Sequence, residues 1–388
     1  MHKIIVLGAG YAGLTAAVSL AARTRRPGSP RCRITVVSAA ERFTERLRLH
    51  QVASGEQLAD LEIPDLLAGT GVEFVRGWVT ALDAGARTVR IDDEVTLSYD
   101  TLVYALGALA DTDAVPGAGD HAYTLDSAHD AVLLSQRLAA LDGGTVAVCG
   151  SGLTGVETAA EIAEQRPGLR VVLLGRREPG ASMGPAARAY LAGALDRLGV
   201  RVRGDVEIVK IRPDAVELAG GESVPADLVV WTSGVRVSPL PAAAGLTVDE
   251  RGRIVTDPAL RSVSHPEVYA VGDAAAIRQA YGVMHGTCQS GMPTGVHAAA
   301  SIMRELDGKQ PRPFRFGYFH APVSLGRHDA VVQFVHPDDT PTRFHLTGRR
   351  AVWYKETVSS APWPGFARTF RAPASGLFAW RRGGRYTQ

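Results

Sequence analysis

Cysteine is scarce in this sequence. Cys32, Cys149 and Cys288 are its three, far apart, and no two form a C-x-x-C or C-x4-C pair. That pattern argues against a redox-active disulfide and against a zinc ribbon, and it makes a reducing compartment the default. Lysine is limited to Lys3, Lys210, Lys309 and Lys355, so arginine carries nearly all the positive charge. The net charge is only +2, which gives no global case for a nucleic-acid partner. No run of 18 apolar residues exists, so no membrane-spanning helix is expected. The opening "MHKIIVLGAG" enters a strand pattern at once, without the charged segment and cleavage site of a secretory leader. His50, His285 and His320 lack metal-ligand spacing, and no Ser/His/Asp triad is readable, so no metal site is expected.

What is present is a duplicated glycine turn. With 388 residues and 46% hydrophobic composition, the chain can bury two or three cores. "VLGAGYAGLTAAV" (6–18) places Gly8, Gly10 and Gly13 between a buried strand pattern and an Ala/Leu-rich helix, and "CRITVVS" (32–38) is the next strand. In such a βαβ unit one glycine allows the tight turn, one lets backbone approach a pyrophosphate, and one lets helix pack on strand. The free N–H groups at the helix start then face the phosphates. "VCGSGLTGVETAA" (148–160) repeats the unit with Gly150, Gly152 and Gly155, followed by the strand "LRVVLLG" (169–175). A second echo pairs "YDTLVYALG" (99–107) with "ADLVVWTSG" (226–234), each a strand that closes a nucleotide domain and ends in glycine, Gly107 and Gly234. In "HPEVYAVGDAAAI" (265–277), Asp273 follows Gly272 at a strand end. There it can accept hydrogen bonds from polyol hydroxyls or cap the following helix.

These motifs, in this order, resemble the flavoproteins with two dinucleotide-binding domains, over residues 1 to about 305. The resemblance implies an α/β fold of two Rossmann-like domains, the second inserted in the first, with a smaller C-terminal α+β region. The expected division is 1–113 with 241–308 for FAD, 114–240 for NAD(P)H, and 309–388 as the C-terminal region. Within that superfamily the chain looks most like the type II NADH dehydrogenases, which are NAD(P)H:quinone oxidoreductases. "FTERLRLHQVASGE" (43–56), "GLTGVE" (152–157), "GTCQSGMPTGVHAAASI" (286–302), "SLGRHDAVVQF" (324–334) and "WYKE" (353–356) carry that likeness. It implies that Gly8, Gly10, Gly13, Ser38, Arg48, Gly107, Gly272, Asp273 and Met292 hold FAD, and that Gly150, Gly152, Gly155, Arg176, Arg177 and Gly234 hold the nicotinamide nucleotide. It implies active-site roles for Gln289, Pro293 and Glu157, with Glu157 on the nicotinamide side. A carboxylate near a helix start also favours the dipole. Met292, Pro293 and Thr294 are expected to open a helix whose positive end faces the flavin.

Two positions depart from that group. Ser38 stands where the FAD strand usually ends in an acidic residue, with Glu41 three residues on, and Pro293 stands where the group usually carries another Gln. Arg176 and Arg177 follow the strand 169–175, where arginine favours the 2′-phosphate of NADPH, although Glu178 comes next. Cys149 reads as a small buried residue, and Cys288 as a thiol nearer the flavin site.

Beyond "QPRPFRF", the segments "AVVQFVH", "TRFHLTG" and "RAVWYKE" read as strands. The tail mixes Trp363, Phe366, Phe370, Leu377, Phe378 and Trp380 with five arginines, interrupted by Pro364, Pro373 and Gly376. Peripheral membrane contact, packing over the domains and a homodimer contact all stay open for it. A cytoplasmic location, free or on the inner face of the membrane, follows. The expected activity is an FAD-dependent NAD(P)H oxidoreductase passing electrons to a quinone. An organic-metabolite acceptor and a redox-sensing flavoprotein are the rival readings.

Overall fold

The computed structural model describes residues 1–371. Each glycine turn leaves the C-terminal end of a buried strand inside its own five-stranded parallel sheet. The first sheet runs, edge to edge, Val268–Ala270, Thr101–Tyr104, His2–Leu7, Cys32–Ser38 and Val72–Arg76. The second runs Ala122–Tyr123, Leu228–Trp231, Thr145–Cys149, Arg170–Leu174 and Arg201–Arg203. The two orders correspond strand for strand. In both, a three-stranded antiparallel meander comes just before the closing strand: residues 79–98 before Thr101–Tyr104, and residues 208–225 before Leu228–Trp231. The duplication read from the glycines therefore extends to whole units.

The chain completes the second sheet before Val268–Ala270 returns to pair with Thr101–Tyr104 in the first. One Rossmann-like unit thus interrupts the other. In each sheet the strand order reverses beside the glycine-turn strand, which opens the crevice where such sheets bind ligands. Three of the four main strands at the sheet centres, Thr101–Tyr104, Thr145–Cys149 and Leu228–Trp231, are buried along nearly their whole length, as strands covered on both faces must be.

The Cys288–Leu306 helix lies against the first-turn helix, Tyr11–Thr24. The approach is close because Gly295 faces backbone: a Cβ there would collide with the carbonyl of Ala12. This helix does not begin at Met292. Thr287 caps it, accepting from the Ser290 N–H at 3.1 Å while Ser290 Oγ accepts from the Thr287 N–H at 2.9 Å. Such reciprocal capping satisfies two orphan donors and fixes the start at Cys288. Pro293 consequently sits inside the helix.

The C-terminal layer is a three-stranded antiparallel sheet, His320–Ser324, Ala330–Val335 and Pro341–Thr347, with a helix on it. The segment "RAVWYKE", expected as a strand, belongs to that helix, Gly348–Ser360. Gly348 at φ +59° ends the preceding strand, and Ala351, Lys355 and Ser359 are buried at spacing four, which is a helical period. The Pro362–Arg371 helix then packs on Tyr11–Thr24, with Phe366 fully buried and its ring 5.4 Å from that of Phe43. This part of the aromatic tail covers the first unit. Leu377, Phe378, Trp380, Pro373 and Gly376 lie outside the described residues. No helix among the described residues is long and apolar enough to cross a membrane.

Candidate functional site

The two glycine turns solve the same steric problem in the same way. A Cβ on Gly8 or Gly13 would collide with the carbonyl oxygen of Ala105 or of Gly8. A Cβ on Gly150 or Gly155 would meet Thr232 or the carbonyl of Gly150. Gly10 and Gly152, by contrast, face open space and sit at the N-caps of their helices, Tyr11–Thr24 and Leu153–Gln165. Two glycines per turn admit neighbouring backbone and the middle one leaves room for a ligand, which is the division of labour a pyrophosphate site needs. Gly107 and Gly234 follow the closing strands, both at positive φ.

Across from the first turn, Asp273 lies in a cavity with Gly272, Arg253, His285, Ser290 and Thr294. The Gly272 N–H donates to Thr294 Oγ1 at 3.0 Å, which ties this turn to the Cys288–Leu306 helix. Burial pushes the Asp273 carboxyl up from its ordinary value, against the pull of Arg46 and His285. A carboxylate in a cavity beside the open Gly10 turn suits a polyol bound next to a pyrophosphate. Ser38 ends its strand and accepts from the Ala40 N–H at 3.4 Å, while exposed Glu41 pairs with Arg76 at 3.7 Å. Arg48 is engaged by protein, 2.7 Å from Glu356 and 3.5 Å from Glu45. Met292 and Pro293 are buried in the helix behind the cavity.

Beside the second turn, Arg176, Arg177 and Glu178 are exposed. Ser151 Oγ donates to the Arg177 carbonyl at 2.6 Å and so fixes the backbone there. The Glu178 carboxylate lies against Gly204, where a Cβ would collide with it.

Glu157 is not in the first turn of its helix, and no acidic residue is. Its carboxylate points inward instead. It lies 2.8 Å from Lys355 Nζ, accepts from the Ser324 N–H at 3.0 Å, and stands 3.9 Å from His50 Nδ1. Burial opposes its charge, but Lys355 and the Ser324 N–H outweigh burial and hold the carboxyl below its ordinary range. Burial drives His50 down to about 4, so it is neutral near pH 7 and its contact with Glu157 is no ion pair. Lys355 stood in the quoted "WYKE" without a role. Only the folding of that segment into a helix brings it to Glu157.

Gln289 joins two elements. Its Oε1 accepts from the Phe319 N–H at 2.9 Å and its Nε2 donates to the His320 carbonyl at 3.0 Å. Both ends of the amide thus hold the start of the His320–Ser324 strand against the Cys288–Leu306 helix. Cys288 is pushed up to about 11 by burial, and Cys149 is driven higher still, so both thiols are protonated at neutral pH. All three cysteines are free. No group of His, Cys, Asp and Glu among the described residues could hold a metal ion.

Residues 2–301 match the pyridine nucleotide-disulphide oxidoreductase family. An NADH dehydrogenase-like protein of Mycobacterium tuberculosis is 32% identical over 351 residues, spanning 85% of this chain and 87% of its own. A type II NADH:quinone oxidoreductase of Staphylococcus epidermidis is 27% identical over 390 residues, spanning 92% and 94%. In fold, the chain is similar to the sulfide:quinone oxidoreductase of Aquifex aeolicus, with TM-score 0.80, 18% identity, and 97% and 95% of the two chains covered. The open Gly10 and Gly152 turns and the Asp273 cavity fit FAD and a nicotinamide nucleotide. The chain belongs to the pyridine nucleotide-disulphide oxidoreductase family and is an oxidoreductase that uses FAD with NADH or NADPH.

Proposed function

We propose that this enzyme is an NAD(P)H:quinone oxidoreductase. The observation that carries the reading is the duplicated nucleotide cradle, with one open glycine per turn, Gly10 and Gly152. The name of the staphylococcal relative supports the acceptor. FAD, when bound, supplies the redox chemistry by accepting hydride from the nicotinamide and releasing electrons to the acceptor. Residues 1–113 with 241–308 hold FAD in this reading, 114–240 hold NAD(P)H, and 309–388 form the C-terminal region, an interface or membrane-surface element.

Gly8, Gly10, Gly13, Gly107 and Gly272 shape the FAD cradle, Asp273 binds its polyol, and Ser38 faces its ribose. Gly150, Gly152, Gly155 and Gly234 cradle the second nucleotide. Arg176 and Arg177 are free in solvent to meet a 2′-phosphate, which favours NADPH. Glu157 orients the nicotinamide side with its charge held by Lys355. Gln289, with both amide ends engaged, positions the 319–320 backbone at the acceptor site rather than touching the acceptor. Arg48 acts through Glu356 and Glu45, and Met292 and Pro293 wall the site.

The test is anaerobic reduction of the yellow protein by NADPH and by NADH, followed by mixing with a soluble quinone while flavin absorbance is followed. Fast reduction and fast quinone-driven reoxidation are expected. Fast reduction with slow reoxidation would move the acceptor to a small organic metabolite, the second reading, which Pro293 in place of the group's Gln favours. The 362–371 helix, docked on the first unit, supports the packing role for that part of the tail, with membrane and dimer contacts left to residues beyond it.

A further inference from the structure

One turn beyond Glu157 on the same helix, Glu161 is fully buried, and neither carboxylate oxygen has a hydrogen-bond partner among the described residues. Its nearest cation is Arg327, whose Nε is 3.7 Å away but only 2.7 Å from Glu56. The Arg327 N–H is taken by Glu164 at 2.6 Å. Arg327 and Glu56 are partly exposed, 22% and 35% by side chain, so this edge reaches solvent. On the Leu49–Ala53 helix, which packs against the Glu161 helix, two more buried polar atoms lack partners: His50 Nε2 and Gln51 Oε1. Leaving such atoms unsatisfied is costly, most of all for a charge. Folds keep such groups where water or a proton serves them.

We propose that Glu161 is the proton-loading residue of this enzyme: it takes a proton from solvent at the Arg327–Glu56 edge and passes it along the helix toward Glu157 for reduction of the acceptor. This rests on the quinone reading. There the balance is NAD(P)H + H⁺ + quinone → NAD(P)⁺ + hydroquinone. Hydride brings two electrons and one proton, and the second proton must come from solvent. Residues at i and i+4 share one helix face with Cβ atoms about 5–6 Å apart, which places Glu161 next to Glu157 along the helix. Glu161 is a positioning residue, since it reaches the acceptor only through the Glu157, His50 and Lys355 group. The charged groups facing it are Glu157 and Glu164 on its own helix, Glu56 from the segment after the Leu49–Ala53 helix, and Arg327 from the turn after Ser324, while His50 and Lys355 lie beyond, against Glu157. Burial raises its carboxyl to about 7, Arg327 opposes this, and Glu164, Glu56 and Glu157 reinforce it. It is therefore loaded on the acid side of neutrality and empty on the alkaline side.

The experiment compares two acceptors with the flavin-loaded enzyme. Soluble quinone needs the extra proton, whereas ferricyanide takes electrons alone. Wild-type quinone turnover is expected to fall as pH rises through about 7 while ferricyanide turnover stays level. Glu161→Gln should slow quinone turnover at pH 6 by at least about tenfold, flatten its pH profile, and leave ferricyanide turnover and flavin content as they were. Infrared spectra of the wild type should show a protonated-carboxyl C=O band that titrates near neutrality and is missing from Glu161→Gln. An unchanged quinone profile in the variant, equal slowing with both acceptors, or no such band would overturn the proposal. If the variant does not fold, the wild-type profiles and band still decide. Wild type that reduces ferricyanide but no quinone would overturn the quinone reading itself, and this proposal with it.

Discussion

Lys355 Nζ lies 2.8 Å from Glu157 Oε1, with side chains 5% and 12% exposed, and this contact joins the C-terminal layer to the helix of the second glycine turn. A buried pair contributes little net stability when whole, but breaking it strands a charge. Lys355→Met should therefore cost about 3–5 kcal/mol, read as a fall in Tm or denaturant midpoint. Adding Glu157→Gln to that variant should restore part of the loss. Additive losses would show that the two side chains do not couple.

The second nucleotide site predicts a split between donors. Replacing Arg176 and Arg177 together by Ala should raise KM for NADPH by roughly ten- to hundredfold, as loss of charged hydrogen bonds does, and change KM for NADH little. Equal effects on both would remove the 2′-phosphate role.

The two turns can be separated by their glycines. Gly13→Ala drives a methyl into the Gly8 carbonyl and should yield protein with lowered flavin content. Gly155→Ala makes the same collision with Gly150 and should leave flavin bound but slow its reduction by NAD(P)H. Absorbance of the purified protein and stopped-flow reduction measure the two effects.

His50 makes stability depend on pH with a definite sign. Its folded pKa of about 4 lies below the unfolded 6.5, so unfolded chain binds the extra proton and stability is lost as pH falls through that window. Between pH 7 and 5 the loss from this one group is about 2 kcal/mol. His297 and His320, also lowered to about 4, act in the same direction, and Glu161, raised to about 7, opposes them. His50→Gln should lose correspondingly less stability over that interval, as followed by urea unfolding at each pH.

Phe366 anchors the Pro362–Arg371 helix against Phe43. Phe366→Ala should cost about 3–5 kcal/mol if that helix unfolds with the first unit. A shift in Tm below that range would mean that the helix detaches on its own.

The two nucleotide units were legible because their signal is local. Gly8, Gly13, Gly150 and Gly155 stand where a Cβ would meet backbone a few residues or one strand away, so the requirement is written at fixed spacing. The strands and helices between them follow from apolar runs of the right length. The capping pair Thr287 and Ser290 was also in plain view, and reading it would have started the helix at Cys288 rather than Met292. "RAVWYKE" misled because a short mixed run suits strand or helix equally. Gly348 and the burial of Ala351, Lys355 and Ser359 at spacing four settle it, and burial is a property of the packed chain.

By itself, then, the sequence determined the duplicated dinucleotide cradle, which depends on short-range sterics that recur wherever the spacing recurs, while the insertion of one unit in the other and the class of chemistry were what its resemblance to a known family implied. Tertiary structure alone decided what surrounds Glu157. Lys355, Ser324 and His50 come from three distant segments, and no spacing rule links them. It likewise decided that Glu161, one turn away on the same helix, is left without a hydrogen-bond partner among the described residues. Charge placement inside a protein is settled by desolvation and by whichever group packing brings near, and both exist only once the chain is folded.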